Sequence, residues 1–129
     1  MEYTELIKLA KQAKENAYAP YSNYKVGCAI LCENGETVTG CNVENIAGTS
    51  NCAERTAIFS AIAKGCSQIK IIAIIGNEKE ICYPCGACRQ VIIEHNYNAT
   101  VVCAKNLAEF EVYSITELLP NAFFPKELK

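Results

Sequence analysis

Long hydrophobic runs are missing from this sequence. The longest, Ile71 to Ile75, is far short of the roughly 20 apolar residues a membrane-spanning helix requires, so no membrane role is expected. The first residues, Met1-Glu2-Tyr3-Thr4-Glu5, carry acids and no apolar core, which is not the pattern of a signal peptide. A surplus of positive charge is missing as well: 12 Lys and Arg stand against 14 Asp and Glu, a formal net charge of −2. The lysines are scattered. Phosphate backbones demand clustered cations, so nucleic acid is not an expected partner. Histidine is nearly absent, and the single one, His95, falls near the end of an expected helix, away from every motif below. Repeats, linkers and low-complexity stretches are also lacking. Residues 1–129 are therefore expected to form one domain, half of it hydrophobic and long enough to bury a core.

Cysteine, by contrast, is abundant. Nine cysteines would mean disulfides in an exported protein, but the number is odd and nothing directs export. Reduced thiols in a cytoplasmic protein are the expectation. Three of them form a split motif: Cys52-Ala53-Glu54 and, some thirty residues later, Pro84-Cys85-Gly86-Ala87-Cys88. Three thiolates fill three of the four tetrahedral positions of Zn²⁺ and leave one open to water, the pattern of a catalytic zinc site. Glu54 then stands beside the metal as a carboxylate able to move protons. One Zn²⁺ per chain, held by Cys52, Cys85 and Cys88, is the expected cofactor. The remaining cysteines, Cys28, Cys32, Cys41, Cys66, Cys82 and Cys103, lie on apolar strands or element ends and are expected to be small core residues. Cys82 imitates a ligand only by its offset from Cys85.

Arginine is scarce, and both arginines, Arg55 and Arg89, fall within three positions of a proposed zinc cysteine. Zn²⁺ with three thiolates carries a net charge of −1. Guanidinium donors aimed at the sulfurs would withdraw part of that charge and restore an acidic water.

Periodicity places these motifs. Thr4 can cap a helix to about Ala17, with Leu6, Leu9, Ala10, Ala13 and Ala17 on one face. Lys25–Cys32 reads as a strand, and Asn34-Gly35 turns the chain back along Thr37–Cys41. Cys52–Lys64 is helical, with Ala53, Ala57, Ala61, Ile58 and Ile62 as its stripe. Ile69–Ile75 is a strand buried on both faces. Pro84 suits the first turn of a helix to about Glu94. Thr100–Ala104 and Phe110–Tyr113 are short strands, and Ser114 to Glu117 has capping-box spacing. Helices interleave with strands, and each long crossover implies a parallel pair. The expected fold is a three-layer α/β/α sandwich around a mixed sheet of about five strands. Both metal motifs open helices, whose N-termini favour thiolate over thiol.

The stretches Cys41 to Asn45 (CNVEN), Cys52 to Phe59 (CAERTAIF) and Pro84 to Gln90 (PCGACRQ) resemble the cytidine deaminase family of small nucleoside deaminases. So do Ala17 to Gly27 (AYAPYSNYKVG) and Leu118 to Phe123 (LLPNAF), and the likeness spans nearly the whole chain. It implies the same sandwich fold and hydrolytic deamination of cytidine and deoxycytidine in pyrimidine salvage. By that resemblance Glu54 shuttles protons, Asn42 and Glu44 bind the ribose hydroxyls, the backbone at Ala53 reads the pyrimidine edge, and Tyr24 stacks on the base. Phe123 reaches a neighbouring subunit's site in a homotetramer. The loop Asn45 to Asn51 departs from the pattern: it is one residue short and lacks a tyrosine near Gly48. A looser sugar pocket admits a second reading, a deaminase of a modified or antibiotic cytosine nucleoside such as blasticidin S. A structural zinc module is the reading from another class, and it needs a fourth ligand, for which only Cys82 is near.

Overall fold

A computed structural model describes residues 1–66 and 68–123. The elements follow in the order α1 (Tyr3–Lys14), β1 (Gly27–Cys32), β2 (Thr37–Cys41), α2 (Ala53–Ala63), β3 (Ile69–Ile75), α3 (Gly86–His95), β4 (Thr100–Ala104), β5 (Phe110–Ser114) and α4 (Ile115–Leu118). The five strands form one sheet in the order β2-β1-β3-β4-β5. One hydrophobic cluster sets Leu6, Ile7 and Ala10 of α1 against Ala29, Leu31, Ala73, Ile75, Val102 and Ala104. The other sets Ala57, Ile58, Ile92, Ile93 and Ile115 against Cys28, Ile30, Ile72, Ile74, Val101 and Cys103. Alternate residues of each strand thus feed opposite cores, and the result is the expected α/β/α sandwich.

One topological expectation fails. Only β3 and β4 are parallel neighbours. The β2-α2-β3 crossover passes over β1, which pairs antiparallel with both strands that the crossover joins. Cys41, Gly27, Ile75 and Ala104 therefore stand in one cross-strand line. The chain leaves β2 and β3 at this edge of the sheet, so α2 and α3 both begin there.

Local boundaries differ from expectation for local reasons. Thr4 lies inside the first turn of α1, whose N-cap position is Glu2. That helix ends at Lys14 because Asn16 and Ala17 donate to Ala13 and Lys14 in tighter i→i−3 turns. Ile7, absent from the expected stripe, is fully buried. The first strand starts at Gly27, since the Val26 N–H is taken by Asn42 Oδ1 at 2.9 Å. At Gly27 the backbone of α1 comes so close that a Cβ would lie 1.9 Å from the Ala10 carbonyl. In α2 the alanine row and Ile58 face the sheet, and Ile62 points to solvent. Pro84 precedes the N-cap of α3 instead of occupying its first turn. The capping box of α4 forms as expected, with Ser114 and Glu117 bonding reciprocally.

The expectation of nine reduced thiols also fails. Cys32 at the end of β1 and Cys66 just past α2 form a disulfide, with Cα atoms 6.0 Å apart. The other seven cysteines are free.

Candidate active site

Cys52 and Cys85 occupy equivalent places, each the extended N-cap of a helix, with φ −69° in both. Cys88 lies one turn into α3 and is fully buried. The three sulfurs lie within 4.8 Å of one another, the one such group among the described residues. Cys52 Sγ and Cys85 Sγ are 3.9 Å apart. Tetrahedral ligands at about 2.3 Å from zinc would be ~3.8 Å apart, so the sulfur spacing fits that ion. Cys82 is outside the group, its thiol pushed up to about 11 mainly by burial.

The electrostatics favour an anionic sulfur here. Cys52 is brought down to about 5, chiefly because the Cys88 thiol donates to it and then because Arg55 does. Arg55 Nη2 donates to Cys52 Sγ at 3.3 Å, while Arg55 Nε is buried without a partner. The guanidinium thus meets the sulfur as the charge argument expects. Arg89 does not: its Nε donates to the Pro84 carbonyl and its Nη1 to the Leu118 carbonyl, both at 2.8 Å. It fastens the entry of α3, just before the N-cap, to the end of α4. Glu54 is buried at 4 % exposure, and burial raises its carboxyl to about 7, with the Cys52 charge adding.

A cavity of about 430 Å³ opens beside the sulfurs, lined among others by Tyr24, Asn42, Ala53, Glu54, Cys52 and Cys85. A smaller one of about 140 Å³ adjoins it, lined by Asn42, Glu44, Ser50, Asn51, Cys52 and Arg55. Asn42, shared by both, is nearly buried and pinned by its own amide: Oδ1 accepts from Val26 and Nδ2 donates to the Tyr24 carbonyl at 2.8 Å. The Glu44 carboxylate accepts from the Tyr21 and Ser22 N–H groups and the Ser22 hydroxyl, which hold it below the usual carboxylate range. The short loop 45–51 is closed by Ser50, whose hydroxyl accepts from Asn45 N–H at 2.8 Å. Phe123 is 78 % exposed and lines neither cavity; its carbonyl accepts from Gln90. Phe124 and Pro125, which follow Phe123, lie outside the described residues.

Sequence reading missed the far wall of the larger cavity, Glu80, Ile81, Cys82 and Tyr83. Adjacency to Cys85 was the available signal. Ser22 was missed too, since nothing local marks it as the partner of Glu44.

Comparison with known proteins points to one family. Residues 1–105 match the family described as the cytidine and deoxycytidylate deaminase zinc-binding region. A cytidine deaminase of Sporosarcina psychrophila is 42% identical over 99% of this chain and 96% of its own length. A crystal structure of cytidine deaminase from Burkholderia pseudomallei superposes with a TM-score of 0.89 at 48% identity, covering 95% of this chain and 100% of that one. The corresponding structure from Mycobacterium tuberculosis gives a TM-score of 0.85 at 34% identity, with 95% and 98% covered.

Proposed function

The chain belongs to the cytidine and deoxycytidylate deaminase zinc-binding family, and from that premise we propose how its residues share the reaction. The protein is a zinc enzyme that hydrolytically deaminates cytidine to uridine and ammonia. The observation that carries the proposal is the meeting of three sulfurs and one buried carboxyl at the mouth of a nucleoside-sized cavity.

Cys52, Cys85 and Cys88 would hold the metal. Zinc bound there would act as a Lewis acid that lowers the pKa of water enough for it to be deprotonated near neutral pH. Glu54 takes one proton from the attacking water and passes it to ring N3, then moves the water's second proton from the new C4 hydroxyl to the amine, so that ammonia leaves and C4 becomes a carbonyl. Burial raises this carboxyl above its ordinary range, which suits it to carry a proton from one step to the next. Arg55 draws charge from Cys52 through its hydrogen bond. Arg89 acts at one remove, by fixing the turn that presents Cys85. The Ala53 backbone reads the pyrimidine edge, and Tyr24 covers the ring from the cavity wall.

Asn42 and Glu44 grip the ribose. Asn42 keeps one amide proton and one lone pair beyond its bonds to Val26 and Tyr24. Glu44 is held rigid by Tyr21 and Ser22, so a sugar hydroxyl meets a preplaced acceptor. Deoxycytidine is a second substrate, the enzyme serves pyrimidine salvage in the cytoplasm, and it works as a homotetramer of single-domain chains. Among the described residues no helix is long and apolar enough to cross a membrane. In the tetramer Phe123, so exposed in one chain, packs into a neighbour's site. Light scattering should then report about four chains, and a fully active monomer would remove the shared site.

The Ser50-closed short loop beside the sugar pocket favours one second reading, the deaminase of an antibiotic cytosine nucleoside. Zinc-replete protein incubated with cytidine, deoxycytidine, cytosine, deoxycytidylate and blasticidin S decides between them. Turnover of cytidine and deoxycytidine supports the proposal. Turnover of blasticidin S without cytidine moves the assignment to the second reading. Inertness toward all five would leave the zinc structural.

A further inference from the structure

The far wall of the larger cavity is built on the connection from β3 to α3, residues 76–85. Its second half, Glu80 to Tyr83, lines the space. Cys82 is tied to the sheet through its N–H on the Ala104 carbonyl at 3.2 Å. The first half is held by a side chain from another layer. Lys14, at the last turn of α1, donates from Nζ to the Gly76 carbonyl and to Glu78 Oε2, both at 2.8 Å. Its side chain is 16% exposed, whereas that of Lys11, which reaches Glu78 Oε1 at 3.0 Å, is 47% exposed.

Gly76 is also where Tyr24, another residue lining the cavity, rests. A Cβ at Gly76 would lie 2.3 Å from the Tyr24 hydroxyl, so the tyrosine sits directly on the glycine. The same hydroxyl is within hydrogen-bonding reach of the Asn77 N–H and the Cys82 thiol. One ammonium group therefore bonds the carbonyl of the residue against which Tyr24 packs. Removing it would take the side-chain donor from the Gly76 carbonyl and leave Glu78, at φ 66°, to the more exposed Lys11, without touching the sulfurs or Glu54.

We infer that Lys14 is a positioning residue for substrate binding, clamping the 76–83 segment and, through Gly76, the Tyr24 ring. This rests on the cavity being the nucleoside site. Charge-assisted hydrogen bonds are stronger than neutral ones, and small misplacements of a binding wall cost affinity steeply. Arginine can reach both acceptors, methionine neither.

The test compares zinc-replete wild type, Lys14→Met, Lys14→Arg and Lys11→Met. For Lys14→Met, KM for cytidine should rise about 10-fold with kcat changed less than about 2-fold, the split expected when ground-state binding is lost. Amide hydrogen exchange over 77–83, measured without substrate, should quicken in the same variant. Lys14→Arg should restore both readouts, and Lys11→Met should leave both near wild type. Unchanged KM and unchanged exchange in Lys14→Met would overturn the inference. So would kcat falling together with kcat/KM and no rescue by arginine. If Lys14→Met fails to fold, Glu78→Ala, which removes one arm of the clamp, must show the faster exchange and the higher KM, or the inference falls. Exchange is read in the absence of ligand, so a wild type inert toward cytidine would defeat the proposed function while leaving the clamp decided on its own.

Discussion

Opening the Cys32–Cys66 disulfide should cost stability and leave catalysis alone. The two residues are 34 apart in sequence. Closing a loop of that length removes about 3.8 kcal/mol of unfolded-chain entropy at 25 °C on the loop-entropy relation. Unfolding entropy of about 2.1 cal/mol/K per residue, over 129 residues, converts this to a fall in Tm of about 14 °C. Cys32 pairs with Ile69 at the start of β3, whereas the sulfur cluster lies beyond the other end of that strand, near Ile75. The assay is calorimetry of wild type and Cys66→Ser at equal zinc content, with kcat/KM at 25 °C measured on both. Denatured wild type should titrate seven thiols. Nine titratable thiols, or a Cys66→Ser melt within about 3 °C of wild type, would refute the entropy reasoning. A zinc-replete Cys66→Ser enzyme with impaired kcat/KM would refute the separation of the two ends.

Glu54→Gln keeps the volume and loses the proton exchange, so turnover should drop by at least ~10²-fold while zinc content and fold persist; near-normal turnover in zinc-replete protein would dismiss the shuttle. Arg55→Gln removes the donor to Cys52 Sγ, which makes the sulfur more basic, so the rising limb of kcat/KM against pH should move to higher pH. Superimposed profiles at equal zinc occupancy would reduce Arg55 to packing. Glu44→Ala should raise KM for cytidine far more than it lowers zinc content, and an unaltered preference for cytidine over free cytosine would remove Glu44 from the sugar pocket.

The elements were legible because their patterns are local. The apolar run Ile69–Ile75, the Asn34-Gly35 turn and the Ser114–Glu117 capping box each carry their own geometry in a few residues. The three zinc cysteines and Glu54 were legible for a related reason: each motif sits on a helix start, so spacing along the chain predicts spacing in space. Where long-range contacts decide, reading stopped. Insertion of β1 between β2 and β3 depends on which edge α2 crosses, and no residue of α2 encodes it. Arg89 shares with Arg55 a place beside a ligand, yet the carbonyls of Pro84 and Leu118 claim it. Lys14 and Glu78, 64 residues apart, have no common motif.

The chemistry and the Asn34-Gly35 turn occupy opposite ends of β1, a strand of six residues spanning roughly 20 Å. At Gly35, φ is +92° and nothing approaches within 4 Å of where a Cβ would stand. The molecule therefore has a working rim and an idle rim. A peptide tag, a fluorophore on an introduced handle or a tether to a solid support can be grafted at that turn, at the end of β1 away from the cavity.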